Sequence, residues 1–294
     1  MMGQIGLSTK LLKKLGMADG YISLGGEVMR NLYFRNQNVM RATTLIILLA
    51  VVTMMIPGTR ARVVMAASSM QQFAQSPLKE TGIRIELPVG QGWFGDILFY
   101  HDPIGLKTNQ GQPLDLSIYY TYGAFKNGHS LVYQSGSGYY ASFYGAYVVS
   151  ADPLPVADQA LIERIAAYDY EILILGALGH PSPYGTFKVN DFQMSMVDTF
   201  LGYEGWMRYD ANILVPGPAH QRTKWRLHYW QFGVPPESIK DENFIKANLK
   251  GRIYVRAFED ENLIIMVYMI CESNEVLEDL QEQILKEGRI IQTK

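Results

Sequence analysis

The 294-residue sequence holds one cysteine, Cys271, so no intrachain disulfide can staple the fold. Charge is scarce as well, with Asp, Glu, Lys and Arg at 18%. Beside 12% aromatic and 48% hydrophobic residues, that scarcity excludes intrinsic disorder and leaves ample material for a core. No internal repeat or low-complexity tract occurs. Catalytic signatures are missing too. There is no Gly-x-Ser-x-Gly elbow, since Ser137 has Ser135 two residues before it. Ser76-Pro77-Leu78-Lys79 matches Ser-x-x-Lys, but in a polar stretch that keeps the lysine protonated. His101, His129, His180, His220 and His228 are scattered without a His-x-x-x-His pair, and no calcium loop is present. No glycine-rich phosphate loop follows a strand. Cys271 lies in an apolar run where desolvation disfavours the thiolate. These patterns give no reason to expect a metal or a cofactor.

Net charge is −2, unevenly spread: residues 1–66 carry eight Lys/Arg against two Asp/Glu, and the remainder carries 18 against 26. An acidic bulk argues against a nucleic-acid partner held through phosphates. The basic portion contains the uncharged run 42–59, preceded by Arg41 and broken by Pro57-Gly58. As helix, its apolar heart at 43–56 spans about 21 Å, short of the roughly 30 Å hydrocarbon core, while the whole run reaches about 27 Å. Small residues follow at signal-peptidase spacing, Thr59 with Ala61 or Val64 with Ala66. Lys10, Lys13, Lys14, Arg30, Arg35 and Arg41 keep the N-terminal side in the cytoplasm. The leading expectation is a cleaved signal peptide, followed by an uncleaved anchor and then by a buried core helix. Met40 would open an ordinary signal peptide, which would make residues 1–39 an over-extended reading frame. In either exported form residues 67–294 lie outside the cytoplasm, as a periplasmic, extracellular or membrane-anchored chain. Residues 67–81 read as a polar tether and 82–294 as one domain.

Strand patterns dominate that domain. Ile83, Ile85 and Leu87 alternate with Arg84 and Glu86 up to Pro88. A strand is expected near 96–101, with a turn at Asp102-Pro103. Leu114, Leu116, Ile118, Tyr120 and Tyr122 recur with period two, and further strands fit 130–134 and 139–149. Pro155 suits the first turn of a helix continuing through Ile165, and Tyr170–Leu175 extends it or forms a strand. Phe192, Met194 and Met196 alternate, and Gly202–Gly205 is expected to turn into a strand at 206–215. Strands also fit 223–232 and 252–258, with a surface helix over 235–250 between them, its Ile239, Ile245 and Leu249 inward and Gly251 ending it. An acidic turn at 259–262 leads into Leu263–Cys271, nine residues without charge and so covered on both faces. Ser273 or Asn274 can cap a final helix with Lys286 and Arg289 in its last turn and Val276, Leu277, Leu280, Ile284 and Leu285 inward. The expected class is α+β, an antiparallel sheet with helices packed on it.

Over residues 82–291 the order of elements resembles the PsbP-like family, the α/β/α sandwich of a photosystem extrinsic protein and of exported bacterial proteins. The resemblance rests on Gly82–Pro88 followed by Trp93, on Leu98–Pro103, on Phe200–Tyr209 and on Gly251–Val255. The Tyr-rich stretch 117–147 and the insert 233–251 depart from the family pattern. The resemblance implies a non-catalytic binding or assembly protein, and carries over no metal or partner site.

Two patterns offer binding surfaces. Arg222, Lys224, Arg226 and His228 share one strand face with Cβ atoms about 6.6 Å apart, a cationic stripe for carboxylate or phosphate groups on envelope polymers or lipid heads. Tyr119, Tyr140 and Tyr144 belong to a run of aromatic residues between 119 and 147 suited to sugar rings or a protein partner, unless alternation turns them inward. The function expected is an exported, non-catalytic binding or assembly protein of the cell envelope. Its partner would be a protein or an anionic envelope polymer, and the membrane itself if the leader is uncut. The alternative is an envelope hydrolase whose site assembles from dispersed Asp, His and Tyr residues.

Overall fold

The structure, a computed structural model, describes residues 39–49, 51–52, 57–88, 97–121, 136–176, 184–216 and 246–292. The chain divides into two compact units, residues 1–59 and 60–294. Within the first, residues 39–49 and 51–52 are helical, with exposed side chains. Among the described residues no helix is long and apolar enough to cross a membrane.

The stretch expected to be a tether is helical. Helix α1 (Pro57–Gln75) has its proline at the first position, and α2 (Leu78–Thr81) ends at Gly82, whose φ of 69° is left-handed. The polar side chains that suggested a solvated linker instead cap a sheet edge. Ser69 Oγ and Gln72 Oε1 accept the backbone N–H groups of Phe99 and His101 at 3.1 and 2.7 Å, and Phe73 meets Phe99 edge-on. Strand β1 (Ile83–Glu86) buries Ile83 and Ile85 and pairs antiparallel with β9 (Arg289–Gln292), a separate two-stranded sheet.

The main sheet has seven antiparallel strands in the order β2-β3-β4-β8-β7-β6-β5. The mixed α+β class expected from the sequence is therefore what the chain adopts. Strand β2 (Ile97–Lys107) runs through Asp102-Pro103, where a turn was expected. The Asp102 carboxylate accepts the Ile104 and Gly105 amides at 3.2 and 2.7 Å, forming a local bulge after which pairing with β3 (Pro113–Thr121) resumes. Strand β4 (Phe143–Ser150) follows. Helix α3 (Gln159–Ala167) starts later than Pro155 suggested, because Asp158 is the N-cap and accepts the Leu161 amide at 2.9 Å. The apolar Tyr170–Leu175 continues it as a π-helix (Tyr168–Gly176).

Strands β5 (Lys188–Phe200) and β6 (Tyr203–Pro216) join through Leu201-Gly202, both at positive φ, as a two-residue hairpin requires. That turn falls ahead of Gly205, and Met194 and Met196 alternate as expected but are exposed. Strand β7 (Lys246–Phe258) includes residues 246–250, which the helix expected over 235–250 had claimed. Leu249 is buried as a strand residue, and Gly251 lies mid-strand, where a Cβ would come within 2.4 Å of Ile213 Cδ1. The remainder of that expected helix, and the strands expected at 130–134 and 223–232, lie outside the described residues. Strand β8 (Leu263–Cys271) is buried at every position, as its lack of charge implied. Helix α4 (Asn274–Glu287) is capped by Ser273 and buries Val276, Leu277, Leu280 and Ile284. Leu285 is 47% exposed, one step around the helix from the stripe, and Arg289 belongs to β9.

Each face of the sheet carries its own core. Ile118, Tyr147, Met266 and Tyr268 lie against Leu161, Ile162 and Ile165 of α3. On the other face Val148, Ile265, Val267 and Trp206 lie with Leu277 and Leu280 of α4 and with β1 and β9. Strand β8 supplies both cores from its nine buried positions, and each large side chain so buried contributes roughly 1.5–3 kcal/mol.

Candidate functional site

Period two along β3 and β4 sends alternate tyrosines to opposite faces. Tyr120 and Tyr147 turn toward α3, where the π-helix brings Asp169 between them. The Tyr120 hydroxyl donates to Asp169 Oδ1, and the Tyr147 hydroxyl donates to Oδ2 at 2.8 Å. Asp169 is 1% exposed, and no cationic side chain among the described residues pairs with it. Burial pushes its carboxyl up to about 7, against the pull of the two phenols. A π-helix widens the turn, and such turns are concentrated at functional sites. Here it carries Asp169, the buried carboxyl group of this face among the described residues.

Beside this cluster lies a cavity of about 50 Å³ between α3 and the sheet. Tyr147 and Tyr268 stack on one side of it, with ring centroids 4.4 Å apart and planes 21° apart. Phe187, Phe192 and Tyr209 line it from the segment before β5, from β5 and from β6 respectively, and Phe192 packs on Tyr209 at 5.0 Å. Ala211 and Gly251, directly paired across β6 and β7, add the small residues of its lining. Glu163 on α3 contributes the acidic group. Arg252 also borders the cavity, yet its guanidinium is bound to Asp210 at 2.6 Å, Gln281 at 2.5 Å and Glu278 at 2.9 Å, the last two on α4 across the sheet.

A second set of ionisable groups surrounds β2. His101 Nε2 meets Asp115 Oδ1 at 2.9 Å, whereas Asp102, next in the strand, accepts the Tyr168 hydroxyl on the opposite face. Burial raises the Asp115 carboxyl, only partly offset by His101. For Asp102 burial also pushes upward, but the bonds from Tyr168, Gly105 and Ile104 outweigh it and hold the carboxyl below its usual range. The two carboxylates therefore do not converge on a common point.

The binding residues expected from the sequence fare differently. Arg222, Lys224, Arg226 and His228 lie outside the described residues. Tyr119, Tyr140 and Tyr144 are 6%, 2% and 0% exposed and so form no contact surface. Tyr119 packs edge-on against Phe99, and Tyr144 donates its hydroxyl to the Pro88 carbonyl. A sheet covered on both faces turned these three tyrosines inward. Sequence reasoning missed Asp169, Glu163 and Tyr268. Asp169 did leave a signal, as a carboxylate between Tyr168 and Tyr170 that, with Glu171, leads into the apolar Ile172–Leu175, because such a group rarely enters a core without a role. Compared with protein-family models, curated proteins and solved structures, the chain finds no match in any of the three.

Proposed function

We propose that residues 67–294 are an exported, non-catalytic binding or assembly protein of the cell envelope, with the domain at 82–294, delivered across the membrane by the apolar run 42–59. The PsbP-like resemblance of residues 82–291 belongs to the same proposal. The observation that carries the binding half is the character of the concavity under α3. Aromatic rings and hydrocarbon line it, and no imidazole or second carboxylate stands within hydrogen-bond reach of Glu163 or Asp169 among the described residues. General acid–base or nucleophilic chemistry needs such a converging pair. Among the described residues the alternative, an envelope hydrolase, is offered the imidazole–carboxylate pair of His101 and Asp115.

The test of the export half is to recover the native chain by a C-terminal tag, sequence its N-terminus and fractionate the cells. The expected result is a chain outside the cytoplasm that begins just after Ala61 or Ala66, or an intact one in the membrane fraction. An intact chain in the cytosol would overturn it. For the binding half, His101→Ala is expected to leave any envelope-linked phenotype of the gene unchanged, and its loss would favour the hydrolase.

A further inference from the structure

The cavity under α3 has a lining that selects for charge as well as for apolar character. Tyr147, Phe187, Phe192, Tyr209 and Tyr268 bring five aromatic rings to a volume of about 50 Å³. Aromatic faces are negative, and they attract a cation by about 0.5–1 kcal/mol when exposed and about 2 kcal/mol or more when desolvated. Glu163 borders the cavity from α3, with its carboxylate at the exposed rim, where it accepts the Gln159 amide at 2.6 Å. Among the described residues the cation bordering the cavity is Arg252, and its guanidinium is held by Asp210 and Glu278. An anion entering here would give up its hydration without meeting a free cation among them.

We propose that this cavity is a binding site for a small alkylammonium group, held by cation–π attraction to its rings and by the Glu163 carboxylate. The volume suits a methylated ammonium tip and falls short of the roughly 300 Å³ of a site that swallows a whole drug-sized ligand. The remainder of the ligand stays outside, between α3 and the β5–β6 hairpin. This ligand class refines the binding reading above and rests on it. A free amine and an ammonium-bearing lipid headgroup present the same chemistry.

The experiment titrates the full-length protein with choline and, separately, with 3,3-dimethylbutan-1-ol, its uncharged carbon isostere, by calorimetry and by tyrosine and phenylalanine NMR shifts. Choline is expected to bind saturably, at least tenfold tighter than the alcohol. Glu163→Gln and Phe192→Leu are each expected to weaken it fivefold or more without lowering the melting temperature. Vesicles of phosphatidylcholine and of phosphatidylglycerol separate the sources. Sedimentation with the first alone assigns a lipid headgroup, and binding of choline without either vesicle assigns a free amine. Equal or tighter binding of the alcohol would overturn the proposal while leaving a binding domain for neutral ligands. Silence toward both probes would overturn it and move the binding reading to another surface.

Discussion

A carboxyl group enclosed by two phenols and hydrocarbon resists ionisation, because no solvent or cation compensates the charge it would acquire. Asp169 is in that position, and its protonation links folding to pH. Its carboxyl titrates at an ordinary 3.8 in the unfolded chain and is pushed up to about 7 by burial in the folded one. Between those values the folded state holds the extra proton. The group's contribution is therefore full below about pH 4, declines as pH rises toward about 7, and stays at its lower plateau beyond. Asp169→Asn keeps the shape and removes the charge. Its unfolding free energy from urea titration should lack that slope and exceed the wild type's at pH 8 by an amount of the order of a few kcal/mol. A variant less stable than the wild type at pH 8 would show that the ionised carboxylate is satisfied where it stands.

Elements answer to their edges. Strand β2 ends the sheet on one side, and α1 closes it with side chains instead of another strand: Ser69 and Gln72 take the amides of Phe99 and His101. Open strand edges invite pairing with other chains, so this cover has a protective role. The double variant Ser69→Ala, Gln72→Ala should speed amide hydrogen exchange at Phe99 and His101 by about tenfold, with the β8 amides unchanged. Unaltered exchange at those two positions would mean that α1 merely lies nearby. The same contrast explains what could be read in advance. Strands β3 and β8 were legible because an alternating or uncharged run of nine residues has few other fates. The final helix was legible from Ser273 and its stripe. Helix α1 was not, since a polar stretch looks like a linker until the edge it covers is known. The bulge at Asp102 hid for a similar reason, because Asp-Pro marks a turn and only the pairing with β3 carries the strand onward. The cavity was out of reach altogether. Its lining comes from α3, β4, β5, β6, β7 and β8, and no local pattern encodes a gap between distant segments.

Residues 60–294 are organised about β8, which feeds both cores, and Cys271 at its end reports on that arrangement. Burial, foremost, pushes its thiol up to about 12, and the residue is fully buried. A thiol in that state reacts only when the strand is exposed. Labelling by a disulfide reagent at pH 8 should therefore be undetectable in the native protein, and should proceed at the rate of global unfolding when urea is added. Fast labelling in buffer would show that the β8 end opens on its own. The order of the strands carries a last consequence. Strands β2 to β4 form one meander and β5 to β8 another, and they meet only where β4 lies beside β8. A nascent chain can zip the first meander early, yet Tyr147 and Val148 must wait on an open flank until the stretch beginning at Leu263 has been synthesised. A transcript cut short ahead of that point would yield a product with a bare, greasy seam, fit for a holdase or a protease and for little else.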